Sequence, residues 1–202
     1  MGRTAGRSPE DTRRVILESA GEVIRTRGLN ASLDDIARHA GVSKGGLIYH
    51  FASKDELVLA LARTLLARFR DHLAARLDPA DDAPGRFTRA YIRALLAPIE
   101  DEVAARREMA LTSQLSTVPA VAELVAADTA ELNAELAADG LPADVLTLVT
   151  AAADGVSVAP MWGGPIATPE HRELEKRLIQ LTRWPELWQS VPWPDQATSR
   201  RP

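Results

Sequence analysis

The 202-residue chain reads as all-α, and three observations say so. Ala, Leu, Arg and Glu abound while aromatic residues make up 4%. Val, Ile and Thr never alternate over a strand-length run. Segment after segment instead spaces its apolar residues three and four apart, the period of a helix with one buried face. A hydrophobic fraction of 46% is sufficient for the core of one domain or two small ones.

Each helix has its own warrant. From Thr12 to Arg27, Ile16, Ala20, Val23 and Ile24 share a face, with Leu17 beside them, and Gly28 stops the helix. Ser32-Leu-Asp-Asp35 is a capping-box-like start: the serine hydroxyl takes an orphan N–H and the acid reaches back. It opens a short helix with Ile36 and Ala37 inward that ends near Ala40. Gly41 turns the chain, Ser43 caps a third helix, and Leu47 continues the apolar face. Ser53-Lys-Asp-Glu56, a second capping box, opens a long fourth helix through Leu57, Leu61, Leu65 and Phe69. Asp78 to Gly85 reads as a loop; Phe87, Tyr91, Ile92 and Leu95 then mark a fifth helix that Pro98 ends or kinks. Further helices at about 101–117, 120–138, 143–160 and 169–183, separated by proline and glycine, bring the expected total to nine. In the Trp- and Pro-rich end, tryptophans are able to pack on the bundle, and the last eight or so residues read as disordered.

Composition narrows the chemistry. The absence of cysteine excludes disulfides, thiolate metal sites and a cysteine nucleophile, and fits a cytoplasmic protein. Basic residues at the start have no apolar run behind them, so no secretory signal is expected. Val145 to Trp162 is nearly uncharged but interrupted by Asp154 and Pro160, and is expected to be a helix buried in protein, with no membrane partner. No Gly-x-Ser-x-Gly elbow, phosphate loop or His-Glu-x-x-His occurs, and the four histidines lack ligand spacing, so neither catalysis nor a metal or cofactor is expected. The net charge of −4 conceals an asymmetry: residues 1–54 carry nine Lys plus Arg against six Asp plus Glu, residues 55–202 fifteen against twenty-two. That is the pattern of a basic nucleic-acid-facing module on an acidic body.

The run GVSKGGLIYHF, Gly41 to Phe51, sets Gly45 and Gly46 side by side where a helix begins, although each glycine weakens a helix by roughly 1 kcal/mol relative to Ala. Two short helices joined through Ala40-Gly41-Val42 describe a helix-turn-helix, whose second helix enters the DNA major groove by its N-terminal end. A tip without side chains lets backbone N–H groups approach base edges or phosphate; the alternative is merely a loose helix start. Lys44 can reach bases or phosphate, Tyr49 and His50 can donate to backbone oxygens, Ser32 and Ser43 offer hydroxyls, and Lys54 lies in the next helix's first turn. Each of these also has a structural reading, as a cap or a packed side chain. Arg3 and Arg7 form a candidate arm toward a neighbouring groove.

Thr12-Arg13 with Ile16-Leu17 and Ala20, then Gly28, then SLDDIARHAGVSKGGLIYHFASKDEL, resembles the TetR family of one-component transcriptional regulators in both residue type and spacing. Ile48 departs from the Tyr that relatives commonly carry, and Gly46 from their Thr or Ala. The resemblance implies a homodimer that places two recognition helices in successive major grooves of a double-stranded operator. The family's DNA contacts carry over to Ser32, Ser43, Lys44, Gly45, Tyr49, His50 and Lys54; Gly46 joins them on the argument from bare backbone. The division expected is a DNA-binding domain at 1–54, an effector-binding and dimerisation domain at 55–190, and a flexible tail at 191–202. Residues 143–160 and 169–183 become the dimer-forming pair, with Ala151-Ala-Ala153, Gly155 and Ser157 small enough for close approach.

In the acidic body a small-molecule effector is expected. Phe87, Tyr91, Leu95, Met109 and Trp162 are apolar candidates, with Leu111, Leu115, Leu124 and Met161 beside them; Thr112 and Gln114 are polar anchors. Asp154 is either a ligand counter-ion or structural. Residues 98–139 hold nine acidic against two basic side chains, which points to a lipophilic cation, although solvated acidic faces explain the same excess. The expected function is a ligand-responsive regulator, foremost a repressor; the rival is a helical ligand carrier or scaffold without working DNA recognition.

Overall fold

The computed structural model describes residues 7–99 and 101–191. Among them no strand occurs, and ten α-helices follow in order. They are α1 (Pro9–Arg27), α2 (Leu33–Ala40), α3 (Lys44–His50), α4 (Lys54–Ala74), α5 (Arg86–Leu96), α6 (Glu102–Leu115), α7 (Pro119–Ala137), α8 (Ala143–Val158), α9 (Pro169–Arg183) and α10 (Glu186–Gln189). The tenth, a single turn beyond the nine expected, forms where Trp188 packs on an apolar core. Arg3 of the candidate arm and residues 192–202 of the tail lie outside the described residues.

Local chemistry sets the helix ends. The first helix begins ahead of Thr12 because Ser8 caps it, accepting from the Asp11 N–H at 3.0 Å, and Pro9 occupies the first turn, where a missing N–H costs nothing. At α2 the capping box is complete, with Ser32 and Asp35 exchanging bonds of 3.2 Å. At α4 it is displaced: Ser53 accepts from the Glu56 N–H at 3.1 Å, but the Glu56 carboxylate takes the Ala52 N–H at 2.9 Å.

The described residues form two compact units. One runs up to Arg70 and adds Asp101–Thr129. Its core joins Ile16, Ile24, Ile36, Leu47, Phe51 and Leu57 to Leu111 and Leu115 of α6. The other holds α5, α8, α9 and α10 around Ile92, Leu96, Val145, Val149, Ala153 and Leu178.

Buried in the second unit is an ion pair that no local sequence pattern marks. Arg89 is fully buried, and its Nε and Nη2 each lie 2.7 Å from one oxygen of Asp81, in the loop before α5. The guanidinium also donates to the carbonyls of Ala83 and Pro84, at 3.0 and 2.8 Å, and Arg183 of α9 adds a second cation to Asp81 at 2.9 Å. Hydrogen bonding to Arg89 holds the Asp81 carboxyl below the usual carboxylate range. Gly85, at φ 85°, leaves room for this fork: a Cβ there would stand 2.8 Å from Arg89 Nη1. Asp139, on the turn after α7, caps α5, accepting from the N–H groups of Phe87 and Thr88 at 3.0 and 2.7 Å.

The expected burial of Val145 to Trp162 is not found. Ala143–Trp162 is continuous, α8 passing into a 3-10 turn at Ala159–Trp162, and is long and apolar enough by composition to cross a membrane. Only 22% of its apolar window is buried. Val145, Val149 and Ala153 face the core, whereas the helical period turns Ala151, Gly155 and Val158 outward.

Removing one partner of a buried pair leaves the other charge uncompensated. Asp81→Ala is therefore expected to lose about 3–5 kcal/mol in urea denaturation, and Asp81→Leu with Arg89→Met to recover most of it. Because the Asp81 pKa is depressed, its contribution is present above the unfolded carboxylate pKa and disappears as pH falls through the folded one. The double variant is accordingly expected to lose less stability on acidification than the natural chain.

Candidate nucleic-acid interface and effector residues

Helices α2 and α3 meet at Gly41, whose φ of 69° is left-handed, and the following Val42 N–H bonds to the Ala37 carbonyl at 3.0 Å. The third helix is then held at both ends. Ser43 accepts from the Gly46 N–H at 3.0 Å. At the other end Phe51 is fully buried, and Arg13 of α1 donates to the His50 carbonyl at 3.0 Å while its guanidinium lies 4.2 Å over the Phe51 ring.

Between these anchors the paired glycines are ordinary helical residues. A Cβ on Gly45 would meet nothing within 4 Å, and one on Gly46 would stand 3.2 Å from Ser43 Oγ. The fold therefore needs glycine at 41 for its dihedral angles, and at 45 for nothing within the chain itself. Gly45, Lys44 and Tyr49 are exposed, Tyr49 to 82%.

The other candidate DNA contacts have intramolecular partners. Ser32 and Ser43 both cap helices; hydrogen bonds from Ser32 push the Asp35 carboxyl down. The Lys44 ammonium lies 2.9 Å from Asp34, an exposed pair worth under about 1 kcal/mol. Lys54 is half-buried and donates to the Leu29 carbonyl, tying α4 to the turn between α1 and α2. His50 is half-buried with the Tyr49 ring edge-on at 5.2 Å. A groove of about 700 Å³ brings Gly41, Ser43, Gly46, Tyr49 and His50 together with Arg7 and Thr12. Thr12 was not among the expected contacts; its place in the first turns of α1 was the available signal.

The effector candidates are divided. Met109, Thr112 and Gln114 lie on α6 in the first unit; Phe87, Tyr91, Leu95, Asp154 and Trp162 belong to the second. Thr112 is exposed and donates to the Glu108 carbonyl at 3.0 Å, while the buried Gln114 Oε1 has no hydrogen-bond partner among the described residues. Leu95 packs on the second core, Phe87 is half-buried, and Trp162 is 85% exposed. Tyr91 and Asp154 are brought together: the nearly buried phenol donates to the exposed carboxylate, and burial foremost, then this bond, raises the phenol pKa, keeping it a donor. Part of the acidic excess is already engaged, since Asp128 pairs with Arg70 at 3.1 Å, Asp139 caps α5 and Asp101 caps α6.

Comparison with known proteins covers most of the chain. A family model described as bacterial regulatory proteins, tetR family, matches residues 16–61, and one described as tetracyclin repressor-like, C-terminal domain, matches residues 85–183. The HTH-type transcriptional repressor KstR2 of Mycobacterium tuberculosis is 38% identical over 96 residues, 45% of this chain and 48% of that one. The HTH-type transcriptional regulator TtgR of Pseudomonas putida is 37% identical over 83 residues, 41% of this chain and 39% of that one. The chain thus spans about half or less of the length of these curated relatives. The crystal structure of multidrug binding protein EbrR complexed with malachite green matches with a TM-score of 0.64 at 25% identity, over 84% of this chain and 97% of that one.

The glycines differ in what they do for the fold, and stability separates them. Gly41→Val is expected to lower unfolding free energy by about 1–2 kcal/mol, because it forces a β-branched residue into the left-handed region. Gly45→Ala is expected to leave it unchanged or raise it by up to about 1 kcal/mol, since the new methyl meets no neighbour. Thermal denaturation of the two variants checks the contrast.

Proposed function

The chain belongs to the TetR family of bacterial regulatory proteins, and from that premise we propose a ligand-responsive transcriptional repressor that binds a palindromic operator as a homodimer and is released by a small lipophilic cation. The observation that carries the reading is the exposed, side-chain-poor tip of α3, a helix anchored at both ends, with Gly45 at a position where the chain itself has no use for glycine. Backbone N–H groups at such a tip fit against phosphate or base edges. Lys44 reaches the duplex after giving up a weak surface pair with Asp34. Ser32, Ser43, Tyr49, His50, Arg7 and Thr12 flank the approach, and Lys54 adds charge beside the turn it holds.

The reading head lies within residues 1–54, and 55–190 carry effector binding and dimerisation. So short a recognition helix needs two half-sites about 34 Å apart for tight specific binding. The outward small-residue face of α8, with Ala151, Gly155 and Val158, supports pairing of two chains. Tyr91 with Asp154 supports a cation among the effector candidates, with Asp154 as counter-ion. EbrR, at 25% identity, binds malachite green, itself a lipophilic cation. Effector and operator oppose each other through α4, whose first turn is tied by Lys54 to the reading head, and each lowers affinity for the other by the same factor.

Fluorescence anisotropy with a palindromic duplex from beside its own gene tests this. Binding is expected to weaken steeply with salt. Gly45→Ala is expected to lose at least about tenfold in affinity, the worth of roughly one charge-assisted hydrogen bond, while keeping its stability. Malachite green is expected to release the duplex from the natural chain and far less from Asp154→Asn. Salt-insensitive binding, or undiminished affinity in Gly45→Ala, contradicts the reading.

A further inference from the structure

Within the first unit, α1, α4 and α6 enclose a recess of about 550 Å³, in the range of small-molecule sites. Its floor is apolar: Leu17, Leu61, Leu65 and Leu111 surround Gly21. Gly21 adds no side chain to that floor. A Cβ there would already lie 3.5 Å from Leu111 and 3.9 Å from Leu61, so a long side chain would occupy the space.

The rim carries five arginines and four glutamates, and their pairing decides the charge that a ligand meets. Arg14 pairs with Glu18 at 3.0 Å and, more loosely, with Asp11 at 3.6 Å, and Arg25 pairs with Glu22, so the charges of both arginines are taken up. Among the side chains that line the recess Arg13, Arg68 and Arg107 remain against Glu10 and Glu108, one positive charge more than negative, with Asp11 behind Arg14 and outside the lining. Arg68 forms no hydrogen bond or ion pair among the described residues, and Arg107 meets Glu22 only at Coulombic range without a hydrogen bond, so both guanidiniums keep donors for a bidentate carboxylate.

We propose that this recess is a second ligand site, separate from the cation site above, and that it takes a small amphipathic monoanion: one carboxylate on the arginine rim and an apolar body over Gly21. The site is placed to act on DNA binding. Arg13 lines it and is also the side chain that holds the His50 carbonyl and covers Phe51, so an anion that draws Arg13 into the recess loosens the C-terminal end of the recognition helix.

The test uses the full chain and 1-pyrenebutyrate, with the matched pyrenyl alcohol and trimethylammonium compound, by calorimetry and pyrene fluorescence. The carboxylate is expected to bind at least about tenfold more tightly than the alcohol. Arg68→Gln with Arg107→Gln, and separately Gly21→Leu, are each expected to remove that advantage, and Asp154→Asn to leave it intact. The two arginines are exposed, so their double variant decides the matter even where Gly21→Leu does not fold. Equal affinity for acid and alcohol, an advantage that survives the arginine variant, or one lost only in Asp154→Asn overturns the proposal. The trimethylammonium arm with Asp154→Asn reports separately on the effector reading, so the two fail independently.

Discussion

The interface depends on Arg13. From α1 its guanidinium reaches the last carbonyl of the recognition helix and lies across the ring of Phe51, which is itself fully buried. Charge-assisted hydrogen bonds and cation–π contacts are worth about 1.5–3 and 0.5–1 kcal/mol respectively, and the exposure of Arg13 puts both at the low end. Modest as that is, α3 is seven residues long and buries only Leu47 of its own, so it has little else to fix its direction. With Gly41 setting the turn and Ser43 capping the Gly46 N–H, the two ends fix the direction of the helix about that one buried leucine. Lys44, Gly45, Ile48 and Tyr49 are thereby left exposed, and at Gly45 the chain itself makes no use of the missing side chain.

The second unit is organised by the opposite means, a buried charge network. Asp81 receives two arginines, one from α5 and one from α9, and Asp139 caps α5 from the turn after α7. These bonds join the segments before α5, after α7 and at the end of α9 without calling on much apolar area. The network also changes how the acidic body reads: Asp101, Asp128 and Asp139 serve caps and pairs, and Asp154 accepts from the Tyr91 hydroxyl.

Helical periodicity and caps made most of the fold legible. Ile16, Ala20 and Ile24 lie on the buried face they suggested, and Ser32 with Asp35 closes the box their spacing describes. Long-range partners left no such trace. Nothing in DPADDAPG distinguishes Asp81, which is buried, from Asp82, which is exposed, because the difference comes from Arg89. Lys54 meets a backbone carbonyl, which carries no residue type to read. Apolar effector candidates were the least legible, since a Leu or Met lining a ligand site and one filling a core look alike. In α8 the small and apolar residues around the whole helix suggested burial, while the folded chain covers one side only.

What unites these observations is a division of labour along one short helix: side chains at its ends attach it to the chain, and the main chain at its tip, Lys44 and Gly45, stays exposed. The most direct measurement follows the Lys44 and Gly45 amide resonances by transverse-relaxation-optimised NMR as operator duplex is added at low salt. Both are expected to shift strongly and gain protection from solvent exchange while the Gly21 amide stays in place. Lys44 and Gly45 amides left unmoved by a duplex that the protein nonetheless retains would contradict a main-chain contact at the tip of α3.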